Sequence, residues 1–259
     1  MLVPYSVYAE IFEPLRHQKA LFIGASGNIG DALIVESLIQ LLEHFEVDYT
    51  QAFLNYQNER APQLKALELD AYRYVLWPGG GNMGCLYQDN QCTRDALAKL
   101  INPEQTELIV LPQTWTSPDP FCAKVSYARE YESIRQFAPH AIFKPDLALA
   151  FDLSRYTDQT FGSSEYDCGY FFREDGEKTG VPLQNIVDPA SSCNTILDYL
   201  TLASQYRAIH TNRLHFAICG LILERRVKLY PNSYFKNQAV FEASLSAFEN
   251  IEFVPNLPK

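Results

Sequence analysis

Residues 19–31 read KALFIGASGNIGD, and they decide the fold class. Lys19 to Ile23 is a short apolar run that breaks at the glycine-rich turn GASGNIGD (24–31). Leu33, Ile34, Leu38, Leu41, Leu42 and Phe45 then recur at helical spacing. The order is strand, turn, helix, and it repeats. Val47 to Phe53 and Ala71 to Trp77 read as strands, the second ending in another glycine turn, PGGGNMG (78–84). Asp95 to Ile101 is predicted to be helical, and Glu107 to Leu111 (ELIVL) a buried strand closed by a turn at Pro112-Gln113-Thr114. Strands that alternate with helices predict a parallel sheet covered on both faces.

Ala123 to Phe137 follows a helical rhythm, and Ala141 to Lys144 gives one more short strand before PDLALAF (145–151). The polar stretch 152–166 places a domain boundary here, giving an N-terminal domain of 1–151 and a smaller one of 152–259. In the second, Cys168 to Arg173, Arg207 to Ile209 and Val227 to Tyr230 are predicted strands, the last of the chain. EDGEKTG (174–180) is a turn or flexible loop. Ser192 to Leu202, Leu214 to Leu223 and about Lys236 to Phe248 are predicted helices.

Composition narrows the function classes. The chain has 259 residues, 47% hydrophobic, with 21 Lys and Arg against 31 Asp and Glu and a formal charge of -10. It can bury a sizeable core, and it has no general positive field for a nucleic acid. The start, MLVPYSVYAEIFEPL, lacks the pattern of a secretory leader, and the apolar runs fall short of the ~20 residues of a membrane helix, so a cytoplasmic location is expected. The six cysteines form no CxxC pair and no metal-ligand spacing with the five histidines. Reduced thiols in the core are expected, and no metal.

Candidate chemistry sits where loops leave the carboxyl ends of strands. Gly24, Gly27 and Gly30 are spaced GxxGxxG, unlike the dinucleotide fingerprint, so a nicotinamide or flavin is not indicated. Asn28 and Asp31 beside them can bond a ligand hydroxyl, with Asp31 a general base or simply a helix cap; spacing favours the cap. Arg129 in YAREYES reads as part of a solvated helical face, and Lys236 in NSYFKN as a solvated ammonium. Arg173, closing CGYFFR, points to the ligand side of a parallel sheet. HTNRLH (210–215) gathers His210, Arg213 and His215 at the first turn of an apolar helix. Two readings of it stand level: a donor-rich anion pocket, or a capped helix with His215 in the core and Arg213 in a local ion pair.

GASGNIGDALI (24–34), WPGGGN (77–82), LPQTW (111–115), ARE with Ser133 (128–133), KPDLALAF (144–151), HTNRLHFAI (210–218) and NSYFKN (232–237) together resemble the polysaccharide pyruvyltransferase family, in the family's order and over most of the chain. The resemblance implies a GT-B-like architecture, two Rossmann-like parallel-sheet domains facing across a cleft, the second smaller. It implies transfer of the pyruvyl group of phosphoenolpyruvate to two hydroxyls of a sugar in a bacterial-type polysaccharide or its precursor, forming a ketal and releasing phosphate. Phosphoenolpyruvate enters as substrate, and no cofactor is implied. The acceptor would be a glycan or a lipid-linked oligosaccharide, the latter bringing the protein to the inner face of the membrane. By similarity, Arg129, His215 and Lys236 bind the donor, overturning the solvated readings of Arg129 and Lys236. Arg213 joins them or braces the loop. His215 also donates a proton to the methylene carbon, Asn28 or Asp31 faces the acceptor, and Asp31 is the base. LERRVKLY (223–230) departs from the family's small-residue turn at that place. Two alternatives are kept: a nucleotide-sugar-dependent glycosyltransferase, and a non-catalytic carbohydrate-binding protein.

Overall fold

The computed structural model describes residues 1–24, 29–53, 60–156, 161, 164–180 and 184–258. Contacts divide the chain into two compact units, one of residues 3–26 and 37–147, the other of residues 1–2, 27–36 and 148–259. Among the described residues, no helix is long and apolar enough to cross a membrane.

The first unit opens with a short helix, α1 (Ala9–Phe12), and β1 (Lys19–Gly24); α2 (Ile29–His44) follows, its first half grouping with the other unit. Then come β2 (Asp48–Phe53), α3 (Arg60–Lys65), β3 (Tyr74–Trp77), β4 (Gly80–Met83), α4 (Gln88–Leu100), β5 (Glu107–Trp115), β6 (Val125–Ala128), α5 (Tyr131–Gln136) and β7 (Ile142–Phe143). The strands form one 7-stranded parallel sheet in the order β2-β1-β3-β5-β6-β7, with β4 also paired to β5.

Ala20 to Ile23 are all buried, so this sheet is covered on both faces, as its apolar strands require. Leu21, Ile23, Val75, Trp77, Leu108 and Val110 share one core cluster, and the alternate residues Phe22, Leu76 and Ile109 turn to the opposite face. Each such side chain removed from water contributes about 1.5–3 kcal/mol.

Three local expectations are corrected. The strand at ELIVL continues through Pro112-Gln113-Thr114 to Trp115. Proline is accommodated because the pairing of β5 with β6 shifts register between Val110 and Gln113. PGGGNMG is a strand in part, β4, rather than a turn throughout. The helical rhythm of 123–137 is broken: Val125 to Ala128 pair into the sheet as β6, and α5 starts only after Glu130, whose extended backbone and side chain cap it.

The second unit contains β8 (Tyr166–Phe171), α6 (Pro189–Ser192), α7 (Ile196–Ser204), β9 (Tyr206–Thr211), α8 (Leu214–Ile222), β10 (Arg226–Leu229), α9 (Lys236–Ala243) and β11 (Ile251–Phe253). Its four strands are parallel, in the order β11-β10-β9-β8. The sequence reading missed β11. A capping box between Thr195 and Asp198 starts α7. Apolar α8 lies close on the sheet: a Cβ on Gly220 would stand 2.8 Å from Val227 Cγ2. The six cysteines are free, but only Cys193 and Cys219 are buried; Cys85, Cys92, Cys122 and Cys168 are exposed, against the core reading.

Candidate functional site

In the first unit the recurring glycine and polar motifs interlock at the carboxyl ends of β3, β5 and β6. Trp77 Nε1 donates to Asn82 Oδ1 at 3.0 Å, and the Asn82 amide donates to Gln113 Oε1 at 3.0 Å. The Gln113 amide nitrogen in turn bonds the Pro78 carbonyl. Arg94, fully buried, reaches in from α4. Its Nη1 donates to the Asn82 carbonyl at 2.7 Å, its Nη2 to the Gly84 carbonyl at 2.8 Å, and it pairs with Asp119 at 2.5 Å. No sequence pattern singled out Arg94, because its partners, two backbone carbonyls and Asp119, are brought near only by the fold.

Arg129 follows β6 directly and is 1% exposed, so the solvated helical face is wrong in both respects. Its Nε donates to Thr114 Oγ1 at 2.8 Å and its Nη1 to Asp146 Oδ2 at 2.5 Å. Beside it, Glu130 is buried and caps α5, accepting from the Ser133 amide at 2.8 Å. Burial pushes the Glu130 carboxyl up, although the bonds from Ser133 pull it down. Asn28 lies outside the described residues. Asp31 is half-buried in the first turn of α2.

The second unit gathers more charge. Arg173, Arg213 and Lys236 follow the carboxyl ends of β8, β9 and β10, where a parallel sheet collects its ligands. Arg213 forms the amino-terminal boundary of α8 without capping it by side chain, and His215, half-buried, stands in the first turn. Thr211 Oγ1 accepts from the Arg213 amide at 3.0 Å and donates to the Phe171 carbonyl at 2.5 Å. Asn212 Oδ1 accepts from the Arg173 amide at 2.8 Å, and the Asn212 carbonyl accepts from Asn237 Nδ2 at 2.8 Å. The polar letters of HTNRLH therefore tie β8, β9 and α9 together.

Each of the three cations meets carboxylates. Arg213 grips Asp188 in a fork, Nε to Oδ1 at 2.7 Å and Nη2 to Oδ2, and its Nη2 is 2.9 Å from Asp175. Arg173 makes a second fork with Asp175, at 2.8 and 2.9 Å. Glu177 Oε2 accepts from Lys236 Nζ at 2.7 Å, Arg173 Nη1 at 2.5 Å and Asn232 Nδ2 at 2.9 Å. Lys236 is 8% exposed and sits over the Tyr234 ring at 4.9 Å, which corrects its reading as a solvated ammonium. Asp175 is partly buried, which raises its carboxyl, but the bonds and charges of Arg173 and Arg213 outweigh this and hold it well below the usual carboxylate range. Asp188 also caps α6, accepting from the Ala190 amide.

His210 takes no part in this cluster. Its Nδ1 lies 2.9 Å from Tyr230 Oη, it packs against Tyr170, and it lines a separate cavity of about 400 Å³ with Ala208, Lys228 and Glu252. Burial, with the nearby Lys228 charge, lowers its basicity. The cations of HTNRLH thus separate in space.

Fold and site define an α/β protein with Rossmann-like, mainly parallel sheets and a charge-dense cluster at the strand ends of the smaller sheet. Among solved structures, the chain is similar to an uncharacterised protein from Klebsiella pneumoniae, at 20% identity with 97% of each chain covered and a TM-score of 0.71, which shows a common fold. A periplasmic ribose ABC transporter from Conexibacter woesei aligns at 8% identity over 93% of this chain and 90% of that one, with a TM-score of 0.32, too loose to carry an argument. No protein-family model matches the chain, and no curated protein does.

Proposed function

We propose that the protein is a ketal pyruvyltransferase, taking phosphoenolpyruvate as donor and two hydroxyls of a sugar as acceptor. One observation carries the reading: Arg173, Arg213 and Lys236 converge at the carboxyl ends of three adjacent parallel strands, beside the helix turn that bears His215. A donor with a phosphate and a carboxylate on a three-carbon body needs that density of cations. Arg129, buried directly after β6, keeps the donor-binding role that the family resemblance implies for it.

The proposed chemistry runs through protons alone. His215 gives a proton to the methylene carbon, which becomes the methyl group, and the central carbon becomes electrophilic. An acceptor hydroxyl adds there and gives its proton to Asp31. The carbon–oxygen bond to phosphate then breaks, the phosphate leaving with the proton held by Asp31, and a second hydroxyl of the same sugar closes the ketal and returns its proton to His215. Lys236 and Arg173 stabilise the charge on the leaving phosphate and the retained carboxylate. Arg213, forked onto Asp188, braces the loop that carries His215.

Incubation with phosphoenolpyruvate and a panel of glycans, read by phosphate release and by the mass gain of a pyruvyl ketal, tests the reading. Turnover of a nucleotide sugar with none of phosphoenolpyruvate would replace it with a glycosyltransferase. Glycan binding without turnover of either donor would leave a carbohydrate-binding protein.

A further inference from the structure

We infer that Arg173, Asn232 and Lys236 form an oxyanion subsite that Glu177 occupies as an internal ligand, and that a small carboxylate or phosphate enters by displacing the Glu177 side chain. The identity of the anion rests on the pyruvyl-donor reading; the subsite itself does not.

Three donors converge on a single oxygen, Glu177 Oε2: Lys236 Nζ at 2.7 Å, Arg173 Nη1 at 2.5 Å and Asn232 Nδ2 at 2.9 Å. Two are cationic and one is an amide, and all three residues are at least nine-tenths buried. Such a set recognises an oxyanion of any origin, since a carboxylate and a phosphate oxygen present the same lone pairs and the same charge. The donors come from three separate places, the exit of β8, the loop after β10 and the start of α9, so the fold, and not local chain geometry, assembles them.

The occupant belongs to the chain, but its hold is of a kind a ligand can replace. Glu177 sits in EDGEKTG, whose backbone is fixed independently. The Glu177 amide donates to Asp175 Oδ1 at 3.1 Å, its carbonyl accepts from the Ser233 amide at 3.2 Å, and the Lys178 amide bonds the Asp175 carbonyl at 3.0 Å. Rotation of the side chain alone therefore withdraws the carboxylate, with the loop in place. Arg213 would be unaffected, since its partners are Asp188 and Asp175. The bonds given up are those that the Lys236 ammonium, one Nη of Arg173 and the Asn232 amide make to Glu177 Oε2. The Asn212 side-chain oxygen holds the Arg173 amide, and its nitrogen is buried with no hydrogen-bond partner among the described residues. Glu177 thus competes with any incoming anion, and its removal raises affinity.

Glu177→Gln keeps the shape and removes the competing charge. Titration calorimetry at fixed ionic strength would compare inorganic phosphate, pyruvate and phosphoenolpyruvate on the native protein, Glu177→Gln and Glu177→Gln/Lys236→Met. The expected result is at least tenfold tighter binding of these anions by Glu177→Gln, with the gain lost in the double variant. Equal affinity of native and Glu177→Gln for every anion overturns the subsite; if phosphoenolpyruvate still binds both, the donor reading survives that failure. A gain for phosphate and pyruvate, with phosphoenolpyruvate bound no better than pyruvate, keeps the subsite and removes the donor reading. Should Glu177→Gln fold poorly, Glu177→Ala supplies a second measurement. Acetate is expected to raise its thermal midpoint by mass action far more than that of the native protein, and equal shifts in the two proteins overturn the subsite.

Discussion

Arg213 and Asp188 meet through two parallel hydrogen bonds, one of them Nε to Oδ1 at 2.7 Å, with both side chains 5% exposed. Asp188 at the same time caps α6, so this one carboxylate fastens the start of that helix to the entrance of α8. An ammonium keeps the charge but cannot reproduce the fork. Arg213→Lys is expected to cost about 1–2 kcal/mol in denaturant unfolding, the order of one charge-assisted bond. It is also expected to weaken phosphoenolpyruvate binding, through the displaced His215 turn. Unchanged stability would show that the fork does not brace the loop.

Arg129 and Asp146 are a buried pair of a different kind, both 1% exposed. Removing one partner strands the other's charge away from water. Arg129→Leu is expected to destabilise by about 3–5 kcal/mol, and Arg129→Leu/Asp146→Leu by clearly less than the sum of the single changes. Additive losses would mean that the pair is not coupled.

The sequence carried the strand β1 and the helix α2 plainly, because an apolar run followed by residues at helical spacing has few other solutions. ELIVLPQTW was misread because proline normally ends a central strand, and the register shift that admits Pro112 is a property of the paired β6. At the site, Arg173 was legible from its place at the end of CGYFFR, whereas Lys236 read as solvated, Arg213 stood level between two readings, and their carboxylates gave no signal. Asp175 and Glu177 lie in EDGEKTG, whose composition is that of a solvated turn, and Glu177 meets Lys236 across a sequence separation of 59. Asp188-Pro189 did carry a local signal, an acidic cap before a proline at a first helical position, but the helix it starts has only four residues. Asn28 falls outside the described residues.

Acid should expose the network. Asp175 has a folded-state carboxyl held below its unfolded value by Arg173 and Arg213 against the opposing effect of burial. Its stabilisation is therefore present above the unfolded value of about 4 and is lost as pH falls through the folded one. The stability difference between native protein and Asp175→Asn is expected to be largest near neutrality and to shrink on acidification below about pH 4. Urea unfolding at a series of pH values measures it. A difference that stays constant down to about pH 2 would show that Asp175 is not ionised in the cluster.

The PGGGNMG segment supplies a test of backbone demand. Gly84 has φ +88°, and a Cβ there would lie 2.7 Å from the Ser117 amide nitrogen, a backbone atom with no freedom to rotate away. Its carbonyl also accepts from Arg94. Gly84→Ala is expected to cost about 2–3 kcal/mol, from strain at positive φ together with overpacking. A thermal midpoint equal to that of the native protein would contradict this.

His215 separates binding from chemistry. It stands in the first turn of α8, two residues beyond Arg213, so its ring can meet a ligand below the helix start without belonging to the Asp188 fork. In the proposed reaction it supplies the proton that the methylene carbon takes up, and asparagine, while able to donate a hydrogen bond, has no proton to give near neutral pH. His215→Asn is therefore expected to leave the affinity for phosphoenolpyruvate within about threefold while lowering turnover by about 10²–10⁴, the usual worth of a general acid. If affinity and turnover fall together by the same factor, His215 is a binding residue alone, and the proton must come from another group.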